Sequence, residues 1–101
     1  MSKYLCNFDE FEEDMGFPKM SDYFSPEPYE GKNKIVKYLK NGRKTYAAPG
    51  TETDVFTGEK ISIEMCGMTD GEYSWAGVLS YYVEKYNLRL PEDFVKKVLY
   101  A

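Results

Sequence analysis

Residues 75–86, WAGVLSYYVEKY, decide the fold because their apolar side chains recur with the period of an α-helix. The positions fall at i, i+3, i+4, i+7, i+8 and i+11, and they are Trp75, Val78, Leu79, Tyr82, Val83 and Tyr86. This spacing lines one face of a helix, which predicts a helix from about Trp75 to Tyr86 packed against a sheet. Asn87 suits the left-handed residue that ends such a helix.

Two shorter helices are predicted on either side of this segment. Residues 33–41 carry apolar side chains on one helical face and lysines on the other, and Gly42 stands where a left-handed cap residue ends a helix. Residues 92–100 follow Pro91, which fits a first helical position, and they begin with two acidic residues near the positive end of the helix dipole. Both helices are therefore predicted to flank the central one.

Turn residues divide the middle of the chain into the strands of a small sheet. Residues 43–48 have β character and are predicted to end at Pro49 and Gly50. Residues 60–65 alternate between polar and apolar side chains, which predicts a strand. Its core face would carry Ile61, Ile63 and Met65. Reversals at residues 57–59 and 70–71 predict antiparallel pairing, because both contain the glycine of a tight turn.

The first 30 residues read differently from the rest of the chain. Residues 3–8 are predicted as a short strand, and one face of it would carry Tyr4, Cys6 and Phe8. Prolines and glycines then indicate an irregular arm that its aromatic side chains pin to the body. The predicted fold class is α+β, in a single domain of residues 1–101. A small antiparallel sheet of three to four strands is packed by about three helices in residues 31–101, with the irregular arm over it.

The composition excludes several classes of enzyme. The chain has no histidine, the side chain most used for acid–base catalysis and for binding transition metals. Cys6 and Cys66 stand far apart, which does not match a zinc site, and without a histidine as base neither matches an activated nucleophile. We expect both to be buried or half-buried thiols. The glycines are scattered singly, without a phosphate-binding loop, and the acids lack the spacing of a calcium loop. We therefore expect no catalysis, no metal and no cofactor.

The start of the chain and its hydropathy indicate where the protein works. No stretch is long and apolar enough to span a bilayer, and the N-terminus lacks the apolar core of a secretory signal. We therefore expect a cytoplasmic protein that does not enter membranes.

Charge is distributed unevenly along the chain, whose net charge is −4. Residues 1–30 carry eight acids and two bases, whereas residues 31–60 carry seven bases and three acids. The cations of residues 32–44 could bind nucleic acid or pair with the acids of the arm. An overall pI of about 4.8 argues against binding to phosphate backbones, so the expected partner is a basic protein.

Aromatic residues make up 17% of the chain, and ten of them are tyrosines. Tyrosine beside acidic residues is typical of a protein-recognition surface, because the rings supply contact area and the acids steer a basic partner. Large rings that fill the core of a small fold explain the same composition equally well.

The candidate partner-binding residues are acidic. First come the N-terminal residues Asp9, Glu10, Glu12, Glu13 and Asp14, and second come the turn residues Asp54, Glu59, Asp70 and Glu72. For the N-terminal run, ordinary solvated surface is the alternative interpretation. Replacing Asp9, Glu10, Glu12 and Glu13 with lysine is expected to slow association with a basic partner.

The C-terminal third carries a resemblance to a known group of proteins. Residues 69–75, TDGEYSW, together with Leu79, residues 82–86 and residues 90–94, resemble small bacterial cytoplasmic proteins that include immunity proteins of polymorphic and contact-dependent toxin systems. The resemblance covers about a quarter of the chain. It implies a non-enzymatic inhibitor that binds one cognate toxin, such as a basic nuclease, and occludes its active site. The alternative is a small adaptor or regulatory protein, phage-borne and homodimeric.

Overall fold

A computed structural model describes residues 3–5, 8–10 and 15–100 of the chain. Within them the elements are, in order, β1 (Lys3–Tyr4), a 3-10 helix (Met20–Tyr23), α1 (Lys32–Lys40), β2 (Arg43–Thr53), β3 (Lys60–Thr69), β4 (Tyr73–Ala76), α2 (Leu79–Tyr86) and α3 (Glu92–Tyr100). The predicted α+β class is confirmed. The two flanking helices lie within one residue of their predicted bounds.

The sheet has four strands in the order β1-β4-β3-β2. Strands β2, β3 and β4 are antiparallel, as predicted, and the two hairpin turns hold Gly58 and Gly71 at φ of 78° and 102°. The short edge strand β1 pairs parallel to β4. It ends at Tyr4 instead of continuing to residue 8, and Tyr4 is exposed while Leu5 and Phe8 are buried. The predicted shared face is therefore wrong for Tyr4 and Phe8, and Cys6 lies outside the described residues.

The predicted start of the central helix is wrong. Trp75 lies in β4, opposite Met68 of β3, and α2 begins only at Leu79. Between them, the Gly77 N–H donates to the Cys66 carbonyl oxygen at 2.8 Å, and a Cβ on Gly77 would stand 2.4 Å from the Cys66 sulfur. The Trp75 side chain is buried in β4 just as it would be in a helix. The spacing of apolar residues therefore does not reveal where the strand ends.

Strand β2 runs through the predicted break at Pro49 and Gly50. It is the edge strand of the sheet, where a proline without an N–H is tolerated, and its register shifts between Ala47 and Thr51. Gly50 adopts a φ of 107° at this irregularity. The two residues therefore form a bulge inside one long strand.

Burial along β3 depends more on which strands lie beside each residue than on the alternation of polar and apolar side chains. Ile61 is buried as predicted and Ile63 is half-buried, but Met65 is 41% exposed. Only residues 67–69 of β3 pair with β4, so Met65 lies beyond the end of that strand. The stretch from Cys66 to Thr69, flanked by β2 and β4, is buried at every position.

The core brings the sheet and the helices together around Trp75. Its ring centroid lies 6.4 Å from that of Tyr38 on α1 and 5.8 Å from that of Phe94 on α3. Gly42 belongs to this packing, because a Cβ there would stand 2.7 Å from the Trp75 ring. Its predicted role as a left-handed cap is wrong, since Gly42 does not adopt a positive φ and α1 ends at Lys40 with Asn41 as its cap at a φ of −94°.

The arm is attached to the body by backbone hydrogen bonds. Phe24 forms an isolated antiparallel bridge with Leu88, and the Arg89 N–H donates to the Tyr23 carbonyl oxygen at 2.9 Å. Asn87 adopts the predicted left-handed conformation at the end of α2, with a φ of 57°, and its carbonyl oxygen accepts from the N–H of Ser25. The arm therefore lies along the link between α2 and α3.

Candidate partner-binding groove

The N-terminal acids that the structure describes, Asp9 and Glu10, make hydrogen bonds within the arm. Asp9 is half-buried, and its N–H donates to the Pro18 carbonyl oxygen at 2.9 Å. The Glu10 carboxylate accepts hydrogen bonds from the N–H groups of Met20 and Ser21 at 2.6 and 3.2 Å. Glu10 therefore satisfies the start of the 3-10 helix, a structural role that the sequence did not reveal. The other predicted acids of this run, Glu12, Glu13 and Asp14, lie outside the described residues.

Asp54 lies inside the fold, with 0% of its surface exposed. One carboxylate oxygen accepts the N–H groups of Phe56 and Thr57, and the other accepts the hydroxyls of Tyr81 and Tyr86 at 2.6 and 2.7 Å. Burial alone would raise the pKa of Asp54, but these four donors outweigh burial and lower it to about 2. Asp54 is thus an ionised internal acceptor that ties the β2–β3 turn to α2.

Asp70 repeats this arrangement at the β3–β4 turn. One oxygen accepts the N–H groups of Glu72 and Tyr73, and the other accepts the Tyr38 hydroxyl at 2.6 Å and the Lys97 ammonium at 2.8 Å. Burial opposes ionisation of Asp70, but the Lys97 and Tyr38 donors outweigh it and hold the pKa well below its usual value. This carboxylate therefore ties the turn to α1 and α3.

The two remaining turn acids are exposed. Glu59 lies at the β2–β3 turn, and Glu72 lies at the β3–β4 turn, where its carboxylate pairs with Lys97 at 2.8 Å. The structure does not bring the predicted acids together into one patch, because Asp54 and Asp70 anchor different turns to different helices.

The tyrosines are divided between the core and the surface. Tyr73 and Tyr82 are buried in the core, whereas four others are exposed and are Tyr4, Tyr23, Tyr46 and Tyr100. Tyr81 and Tyr86 are half-buried beside Asp54. Burial and the hydrogen bond to Asp54 raise the pKa of Tyr86 to about 12, so its hydroxyl stays protonated and continues to donate.

Lys32 and Lys40 of α1 make polar contacts with α2 and its end. Lys34, Lys37 and Lys40 are exposed, and the ion pair of Lys40 runs to Glu84 on α2 at 3.6 Å. Lys32 donates to the Glu84 carbonyl oxygen. Among the described residues, no ion pair joins these lysines to the acids of the arm.

A groove of about 500 Å³ lies between the arm and the link from α2 to α3. Its walls come from three separate segments of the chain. The apolar lining residues are Leu5, Phe8, Pro18, Tyr23, Leu90 and Pro91. Its charged lining residues are Arg89 and Glu92. The sequence could not predict this groove, since its walls are far apart in the chain and only the fold brings them together.

The groove is preformed in the free chain. The Arg89 N–H donates to the Tyr23 carbonyl oxygen and so joins two of its walls. A second hydrogen bond runs from the Asp9 N–H to the Pro18 carbonyl oxygen. Leu5, Phe8 and Leu90 are 6%, 5% and 7% exposed, so its floor is already packed. A partner therefore meets a shaped apolar surface and orders little of it on binding.

Among the described residues, one acid lines this groove and two others adjoin lining residues in the chain. Asp9 directly follows the lining residue Phe8, and Glu92 and the exposed Asp93 follow the lining residue Pro91. Of the predicted partner-binding acids that the structure describes, Asp9 is the one that adjoins a lining residue while its carboxylate is uncommitted to a cap or a turn. Glu92 and Asp93 were not predicted, because their position at the start of α3 explained them as helix-dipole partners.

No known protein family, curated protein or solved structure matches this chain. What the site can bind is therefore inferred from its own geometry. Among residues 3–5, 8–10 and 15–100, no group of three or more cysteine, aspartate or glutamate side chains is placed to hold a metal ion. Within the same residues, every helix is too short or too polar to cross a membrane. The groove offers apolar contact area, local negative charge and one guanidinium.

Proposed function

We propose that this chain is a non-enzymatic protein-binding inhibitor of the immunity class, which neutralises a basic, toxin-like enzyme by covering its active site. The observation that carries the proposal is the preformed apolar groove, which Glu92 lines and whose lining residues Asp9 and Asp93 adjoin in the chain. The resemblance of the C-terminal third to immunity proteins supports the same class of function.

The groove contributes affinity for the partner, and the acids contribute to the rate of association. An apolar side chain of the partner that enters the groove loses its contact with water, and buried anchors of this kind carry most of the binding energy of an interface. The acids act at longer range, because an acidic surface attracts a basic partner and raises the rate of encounter. Such a surface also competes with the polyanionic substrate of a nuclease.

Reversing the acids at the groove tests this function. We expect the triple variant Asp9→Lys, Glu92→Lys and Asp93→Lys to associate with the partner about tenfold more slowly at low salt, because steering depends on local charge. The partner is first isolated from the native host with the wild-type chain. Stopped-flow association rates and the partner's own activity are then measured with each variant.

A matched control separates local charge from total charge. The variant Glu27→Lys, Glu30→Lys and Glu84→Lys changes three exposed acids away from the groove by the same amount. Both triple variants are also compared at the same physiological salt, where distant charges are screened, and there the control should stay within about twofold of the wild type while the groove variant remains slower. Equal losses in both triple variants, or a partner enzyme that keeps full activity when bound, would contradict the proposal.

A homodimeric regulator is the second candidate, and an exposed sheet surface favours it. Tyr46 is 64% exposed, and its ring lies across Gly67, where a Cβ would stand 2.4 Å from it. Gly67 is also opposite Ala76, the neighbour of Trp75, so Tyr46 lies on the face away from the Trp75 packing. Light scattering of the purified chain distinguishes the candidates, since a monomer argues against the regulator.

A further inference from the structure

We propose that the groove holds the C-terminal residue of the partner, with its apolar side chain against the groove floor and its free carboxylate bound by Arg89. This inference rests on the proposed function, and it names the chemistry that the same groove selects. It is carried by the shape and lining of the groove together with the state of the Arg89 side chain.

The apolar part of the groove fits one large side chain. Leu5, Phe8 and Leu90 form a nearly dry floor, and Pro18 and Pro91 have backbones that their rings hold rigid. The volume of about 500 Å³ lies within the range of sites that bind small organic ligands. A terminal residue with a large apolar side chain, such as phenylalanine or leucine, fits inside this volume with space left for the residue that precedes it.

Arg89 supplies the charge that a carboxylate needs. Its side chain is exposed and lines the groove, and the described part of the chain provides no ion pair for its guanidinium. Glu92, the nearest acid in the lining, pairs with Lys96 at 3.3 Å instead. A guanidinium offers parallel N–H donors that match the two oxygens of a carboxylate.

The backbone of Arg89 is held in place beside the groove. Its N–H donates to Tyr23 at 2.9 Å, and its neighbours Leu88 and Leu90 are 0% and 7% exposed. The guanidinium therefore starts from a fixed point beside the apolar floor.

A chain terminus satisfies both features within one residue. Its side chain and its carboxylate share a Cα, so the two groups reach the floor and Arg89 without a second residue. Capture of a C-terminal carboxylate is a recurring mode of peptide recognition. The pairing of Glu92 with Lys96 reduces its repulsion of the bound carboxylate, and the acids beside the groove disfavour further negative charge in the partner's terminal segment.

Small probes test the inference without the partner. We expect N-acetylphenylalanine, which has a free carboxylate, to shift the backbone amide resonances of Phe8, Arg89 and Leu90 in NMR titrations. N-acetylphenylalanine amide should bind about tenfold more weakly, because it lacks the charge that Arg89 binds. The variant Arg89→Gln should bind both probes equally weakly. Arg43→Gln is the matched control, since Arg43 is exposed on β2 and should leave the preference unchanged.

The outcomes separate this inference from the proposed function. Equal binding of acid and amide by the wild type, or resonance shifts that lie outside the groove, would overturn the inference. So would full affinity for a partner whose last residue has been deleted, even though the partner is still inhibited. A chain that prefers N-acetylphenylalanine over its amide but does not inhibit the partner enzyme would instead overturn the proposed function alone.

Discussion

The variant Asp54→Ala should lower the free energy of unfolding by about 3 kcal/mol or more. Removal of the carboxylate leaves the hydroxyls of Tyr81 and Tyr86 and the N–H groups of Phe56 and Thr57 without their acceptor at a site that is 0% exposed. Urea denaturation followed by the fluorescence of Trp75, the single tryptophan, measures the change. Glu59→Ala, at the exposed end of the same turn, is the control and should cost less than about 0.5 kcal/mol.

The same carboxylate makes stability depend on acid. Its pKa is about 2 in the folded chain and about 3.9 in an unfolded one, so the unfolded chain binds its proton first as pH falls. The contribution of Asp54 is fully present above about pH 4, and it is lost as pH falls from about 4 to 2. In the variant Asp54→Asn this part of the pH dependence should be absent. A variant that loses stability with acid as steeply as the wild type would show that Asp54 is not the group responsible.

The variant Trp75→Ala should lower the free energy of unfolding by about 4 kcal/mol, because it leaves a cavity in the centre of the core. Trp75 is 2% exposed, and its indole N–H donates to the Leu39 carbonyl oxygen at 3.3 Å. The whole free energy of unfolding of such a domain is about 5–15 kcal/mol, so this variant should be close to unfolding at room temperature. Circular dichroism during urea denaturation measures it without the lost fluorophore.

An exposed aromatic residue provides the control for Trp75. Tyr100 is 79% exposed at the end of α3, and Tyr100→Ala should change the free energy of unfolding by less than about 0.5 kcal/mol. Similar losses in the two variants would mean that the core is not centred on Trp75.

The position of Trp75 shows how far the sequence predicts the fold. Apolar spacing identified the buried side chains of α2, and it placed Trp75 correctly in the core. The apolar spacing continued across the end of β4 because it does not distinguish a buried strand residue from a buried helix residue. Gly77, whose close approach to Cys66 ends the strand, was the local signal of the change.

Asp54 shows why the candidate site was harder to predict than the fold. An acid in a turn that contains a glycine is normally exposed, and the composition gives no reason to predict that the Asp54 carboxylate is buried. The hydroxyls that hold it come from Tyr81 and Tyr86, which lie 27 and 32 residues further along the chain. The off-face position of Tyr81 on α2 was the available sign that a tyrosine hydroxyl had a buried partner.

The groove exists only while the arm lies against the body, because Pro18 and Tyr23 form one wall and Leu90 and Pro91 the other. Detachment of the arm therefore removes one wall of the groove and releases whatever it holds, although the attached arm does not require an occupant. Whatever occupies the groove also fastens the leading segment of the molecule, so cellular proteases gain access to that segment mainly in copies that have lost their ligand.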